Sequence, residues 1–131
     1  MKPKMIWANL AVANLERTQK FYTELGFKSN NPHSSNELVS FFAAGNEFII
    51  HFFLKSVIEN NLKSIQFGDP NSSNEIIFTL SAESKNQVDE WALEVKKAGG
   101  TIVSEPESFG ENYYGFVFAD PDGHKFNVFY M

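Results

Sequence analysis

Phe116-Val117-Phe118-Ala119-Asp120-Pro121-Asp122-Gly123-His124-Lys125-Phe126-Asn127-Val128-Phe129-Tyr130 reads as strand, tight turn, strand. Phe41-Phe42-Ala43-Ala44-Gly45-Asn46-Glu47-Phe48-Ile49-Ile50-His51-Phe52-Phe53 reads the same way. Aromatic and β-branched runs broken by Gly-Asn or Pro-Asp-Gly are hairpin signals. Two hairpins of one design in a 131-residue chain point to a duplicated module. A duplicated module is expected to leave a cleft between its copies.

Working outward, each hairpin is preceded by a strand and a helix. Met5 to Val12 reads as a strand, and Asn14 is placed to cap a helix with Leu15, Thr18, Phe21, Tyr22 and Leu25 at helical spacing. Gly26 follows as a C-terminal stop. Phe27 to Asn31 is a short strand, and a polar loop holding Pro32 and His33 follows it. Strands are expected over Leu38–Ala43 and Phe48–Leu54, and a helical turn over Lys55–Leu62. Phe67 to Asn74, rich in Gly, Pro, Asn and Ser, reads as a linker. The second copy then gives a strand over Glu75–Ser81, and a helix capped by Ser84 with Val88, Trp91, Ala92 and Val95 on one face and Gly99-Gly100 at its end. A strand over Thr101–Glu105, a loop over Pro106–Asn112, and the final hairpin of Tyr113–Ala119 and Lys125–Tyr130 complete it. Aligning Trp7–Val12 with Glu75–Leu80, and Gly45 with Gly123, superposes the copies. The expected fold class is α+β, with module one over about 1–62, a linker over about 63–74 and module two over about 75–131. A ferredoxin-like βαββαβ sandwich is the competing fold; it leaves strands and the matched hairpins unexplained.

Composition excludes several functions. There is no cysteine, so no disulfide, thiolate metal site or cysteine nucleophile, which fits a reducing compartment. Net charge is −5 and Arg17 is the single arginine, which argues against nucleic acid as a partner. Lys96-Lys97 falls in the last turn of a helix, where it complements the macrodipole. No run is long enough to span a bilayer and no signal-peptide pattern opens the chain, so a cytoplasmic protein with no membrane partner is expected.

Asn9-Leu10-Ala11-Val12-Ala13-Asn14-Leu15-Glu16-Arg17-Thr18, Phe21-Tyr22-Thr23-Glu24-Leu25-Gly26-Phe27 and Asp120-Pro121-Asp122-Gly123-His124 carry a family likeness in their order and spacing. The chain resembles the vicinal oxygen chelate superfamily, which includes glyoxalase I, bleomycin-resistance proteins and extradiol dioxygenases. Its closest flavour is the small bacterial proteins labelled predicted lactoylglutathione lyases. The resemblance covers nearly the whole chain and implies one domain over 1–131, built of two βαβββ modules whose curled sheets form paired half-barrels around a cavity. It also implies a homodimer, because the edge strands of such half-barrels pair with a second copy. Members with activity hold a divalent metal on the first and last strands of each module, where it acts as a Lewis acid.

Carried onto this sequence, the metal-ligand places fall on Trp7, Ile49, Glu75 and Asn127. Trp and Ile cannot coordinate a cation, and one carboxylate with one carboxamide makes a poor transition-metal site. No cofactor is therefore expected, with a divalent metal as the less favoured alternative. The favoured function is a metal-free cavity binding a small molecule, as bleomycin-resistance proteins sequester a drug. Trp7, Asn9, Ile49, His51, Asn127 and Phe129 are its expected lining, and the acidic balance suits a cationic ligand. The alternative is a metal-dependent lyase or isomerase of the glyoxalase type with Glu75 as general base, its pKa raised by burial in the cavity. A structural or regulatory dimer with a vestigial cavity is a third reading. Scarcity of arginine argues against a glutathione conjugate, whose two carboxylates call for bidentate guanidinium groups. Each residue also has a plainer role: His51 as an inward histidine satisfied by a hydrogen bond, Glu75 as a solvated strand start, His124 as turn surface, Trp7 as core. Tyr113 and Tyr114 read as a strand start rather than a gate.

Overall fold

The computed structural model describes residues 1–131, which divide into two compact units, Met1–Phe67 and Gly68–Met131. No helix is long and apolar enough to cross a membrane.

The first unit runs β1 (Trp7–Val12), α1 (Leu15–Glu24), β2 (Lys28–Ser29), a 3-10 turn (Asn31–His33), β3 (Leu38–Ala44), β4 (Phe48–Leu54) and α2 (Lys55–Leu62). Its four-stranded sheet has the order β1-β4-β3-β2, with β1 parallel to β4 and the other neighbours antiparallel. Asn14 caps α1 by accepting the Arg17 N–H at 3.0 Å. Phe21 and Tyr22 on α1 are buried with Phe41, Ile50 and Phe52 of the sheet. The Tyr22 and Phe52 rings lie 4.5 Å apart, in the range of favourable aromatic pairs.

The second unit runs β5 (Phe78–Ser81), α3 (Lys85–Ala98), β6 (Thr101–Phe109), β7 (Tyr113–Ala119) and β8 (Lys125–Tyr130). Its sheet has the order β5-β8-β7-β6, again with the first strand parallel to the last. Ser84 caps α3 by accepting from Gln87 N at 3.0 Å, and Gly99 ends it in the left-handed conformation. Val88, Ala92 and Val95 are buried, as are Phe116, Phe118, Phe126 and Val128 of the sheet. The β7–β8 turn is built on Asp120, whose Oδ1 accepts the N–H groups of Asp122, Gly123 and His124.

Each unit is thus a βαβββ module of an α+β fold. Several boundaries differ from the sequence reading: β1 begins at Trp7 rather than Met5, β3 ends at Ala44 rather than Ala43, and three further differences are larger. The strand expected to begin at Glu75 begins at Phe78, because the ladder with β8 begins at Phe78↔Phe126. β6 continues through Pro106 to Phe109 where a loop was expected. It is an edge strand with irregular register between Ser104 and Glu107, the setting in which a strand tolerates proline. The strand expected over Phe27–Asn31 shrinks to Lys28–Ser29, and Asn31-Pro32-His33 forms the 3-10 turn.

The two helix caps also correct the alignment of the copies. Asn14 and Ser84 are equivalent, so Asn9 corresponds to Thr79 and Trp7 to Ile77, not to Glu75. The parallel ladders set Asn9 opposite His51 and Thr79 opposite Asn127. The counterpart of Asn127 in the first copy is therefore His51, and that of Ile49 is Lys125. Matching Gly45 to Gly123 misleads because the β3–β4 hairpin shifts register between Phe42 and Ala44, whereas the β7–β8 ladder runs without a break.

Candidate functional site

Strand alternation decides which side chains share a face. In the first sheet, Ile50 and Phe52 are buried with α1, so Ile49, His51 and Phe53 point to the other side. Ladder partners carry that face across three strands in rows. One row is Trp7–Ile49–Phe42. The next is Asn9–His51–Ser40. The third is Ala11–Phe53–Leu38. A polar row therefore lies between two apolar ones.

The polar row is closed at one end and open at the other. Ser40, fully buried, accepts a hydrogen bond from Asn30 Nδ2 at 3.1 Å, and its N–H donates to Ser34 Oγ at 3.2 Å. At the open end Asn9 is exposed. His51 sits in the middle, ringed by Trp7 at 6.2 Å, His33 at 6.3 Å and Phe53 at 6.1 Å between ring centroids. Its Nδ1 is buried without a hydrogen-bond partner. Burial, and secondarily the neighbouring His33, holds the His51 pKa below its usual 6.5. The ring is therefore neutral at physiological pH. Trp7 remains 49% exposed beside it.

In the second sheet the matching row is Thr79–Asn127–Val117. Asn127 Nδ2 points to Thr79 Oγ1 at a long 3.5 Å, so this row partly satisfies itself. Phe129 stacks on Tyr113, with ring centroids 5.2 Å apart and planes 20° apart. Lys125 is not an open cation: its ammonium donates to the carbonyls of Pro70 and Gly123 and to Asn74 Oδ1.

The expected site residues thus fall into two groups. Trp7, Asn9, Ile49 and His51 share one face of the first sheet. Asn127 and Phe129 share one face of the second. Glu75 lies outside β5 and is exposed, so the burial that would tune it as a base is missing. His33, which the sequence left in a polar loop, lies beside His51; the pattern of a lone histidine after Pro32 carried no signal for that.

A divalent metal fits this chain poorly. No three of its His, Asp and Glu side chains cluster in a way that could hold one. His33 and His51 supply two imidazoles with no carboxylate beside them, and the copy-equivalent places Trp7 and Ile77 offer no donor.

The comparisons agree with this architecture. The family model for the Glyoxalase/Bleomycin resistance protein/Dioxygenase superfamily matches residues 4–128, and the chain belongs to that superfamily. Among solved structures, a hypothetical protein from S. aureus is similar over 100% of this chain and 96% of its own, at 28% identity and a TM-score of 0.84. A glyoxalase-related enzyme from Fulvimarina pelagi matches with a TM-score of 0.83 at 16% identity, over 98% of this chain and 89% of that one. A lactoylglutathione lyase from Agrobacterium tumefaciens matches with a TM-score of 0.70 at 19% identity, over 99% of this chain and 96% of that one. The last two likenesses are of fold alone. A comparison with curated proteins returns no match.

Proposed function

We propose that the protein captures a small organic molecule on the open face of its first sheet, without a metal ion. The observation that carries this is His51: a neutral imidazole among Trp7, His33 and Phe53, with no hydrogen bond to any other group of the chain. Polar groups set among apolar walls are where proteins fix a ligand's orientation. The rows Trp7–Ile49–Phe42 and Ala11–Phe53–Leu38 supply the walls, and Asn9 and His51 the polar points. A second polar row, with Asn127 beside Thr79, gives the other module less to offer. The same superfamily name covers bleomycin resistance and glyoxalase proteins. The poor metal donor set and the single arginine, Arg17 on α1, favour the first kind of role for this chain.

The test is a fragment screen on protein freed of metal with EDTA, read by thermal shift and by tryptophan fluorescence. The expected result is stabilising hits that Trp7→Ala abolishes and that added Zn, Ni or Mn leaves unchanged. Hits that appear only with metal, or a broad library without hits, would overturn the proposal. Turnover of the methylglyoxal–glutathione adduct would do the same.

A further inference from the structure

Resting on that reading, we propose that the ligand is an uncharged planar molecule carrying a carbonyl oxygen beside an N–H, the edge of a lactam ring, and that Asn9 and His51 together read this edge. Three observations lead to it.

The first is charge. None of the positions in the three rows carries a carboxylate, so a cation here would meet only aromatic ring faces and no opposite full charge. The acidic balance of the chain lies elsewhere. Nor does any of these positions carry an ammonium or guanidinium group. Lys28, across from Phe42 on β2, sits 5.4 Å over the Phe42 ring and reaches Asn46 at 3.4 Å. His51 itself is held neutral. Apart from the Lys28 ammonium on the edge strand β2, a charged ligand would lose its hydration here with no full counter-charge in return.

The second is tautomer. The two nitrogens of a neutral imidazole divide the roles of donor and acceptor. Nδ1 is buried and unpartnered; Nε2 makes no hydrogen bond within the chain and is the nitrogen left for an outside partner. Orphaned buried N–H groups are rarer than under-satisfied acceptors. The lone pair therefore belongs on Nδ1 and the proton on Nε2, which makes His51 a neutral donor suited to a carbonyl oxygen.

The third is spacing. Asn9 and His51 are direct ladder partners on neighbouring parallel strands, so their backbones run about 4.8 Å apart with the side chains on one face. A carboxamide beside an imidazole N–H presents an acceptor next to a donor. The complement is a donor next to an acceptor on one rigid edge, as in a lactam. The Trp7 ring stands 80° to the imidazole, so a ligand ring coplanar with His51 meets the indole edge to face.

Three probes separate the possibilities: quinolin-2(1H)-one, its N-methyl derivative and quinoline, titrated into the intact protein by tryptophan fluorescence and NMR. The parent lactam is expected to bind at least tenfold tighter than either analogue, and Asn9→Ala and His51→Phe are each expected to erase that preference. Nitrogen-15 spectra of His51 are expected to show a protonated Nε2 and a bare Nδ1, with the Nε2 proton shifting downfield when quinolin-2(1H)-one is added. A proton on Nδ1, or equal binding of all three probes, would overturn the lactam assignment while leaving small-molecule capture standing. Failure of quinolin-2(1H)-one to bind overturns the assignment too, and the fragment screen then tells whether capture survives it.

Discussion

The ammonium of Lys125 lies 2.7 Å from the carbonyl oxygen of Pro70, at the centre of a clamp between the 69–74 segment and the β7–β8 turn. Asn74 Oδ1 and the Gly123 carbonyl share the same ammonium, and Asn71 Nδ2 donates to the Asp122 carbonyl at 3.1 Å. Charge-assisted bonds of this kind are each worth about 1.5–3 kcal/mol before the side chain's lost freedom is counted. Lys125→Met keeps the length of the stem and removes the charge. It is expected to cost about 2 kcal/mol in urea unfolding and to speed proteolysis within 69–74.

Gly115 on β7 has no room for a methyl group. A Cβ there would lie 2.5 Å from the Val128 carbonyl oxygen and 3.0 Å from Phe129 Cδ2. The first contact is with backbone, which cannot swing aside. Gly115→Ala should therefore destabilise by about 2 kcal/mol, in the range of overpacking. It should also disturb the Phe129–Tyr113 stack, visible in the aromatic region of the NMR spectrum.

The buried pair of Asn30 and Ser40 is tested by removing one partner. Ser40→Ala leaves the Asn30 amide, 6% exposed, without its acceptor. A cost of roughly 1–3 kcal/mol is expected from the stranded donor. Asn30→Ala combined with Ser40→Ala should cost less than the two changes added, the mark of groups that act together.

The depressed pKa of His51 couples stability to pH. The unfolded chain takes up a proton near 6.5, while the folded chain resists it because of burial and then His33. Below 6.5 and above the lower pKa of the folded state, the unfolded state holds more protons, so stability falls as pH drops through 6.5. His33 is the titratable side chain in ring contact with His51; its other ring neighbours, Trp7 and Phe53, do not ionise in this range. Urea unfolding at pH 7.5 and 5.5 should show a larger loss for the native protein than for His51→Gln. Equal losses would sink this account.

How far the sequence carried depended on how local each signal was. The helices were legible because a cap and an apolar stripe lie within one segment: Asn14 with Phe21 and Tyr22, Ser84 with Val88, Ala92 and Val95. The start of β5 was not, because Ile76 and Ile77 look like strand residues yet are 66% and 49% exposed, ahead of where the ladder with β8 begins. A strand read from Glu75 shifts the alignment of the copies by two residues and puts Glu75 where Ile77 belongs. The face of Trp7, Asn9 and His51 was legible from alternation alone. Its closed end was not, since Asn30, Ser34 and Ser40 meet through a turn that no periodicity marks.

Every backbone ladder in the molecule pairs strands of one unit only, on one side or the other of the Phe67–Gly68 seam. Hydrogen bonding therefore places no demand on which half comes first along the chain. A gene rearranged to encode residues 68–131 ahead of 1–67 would specify the same strand partners within each unit.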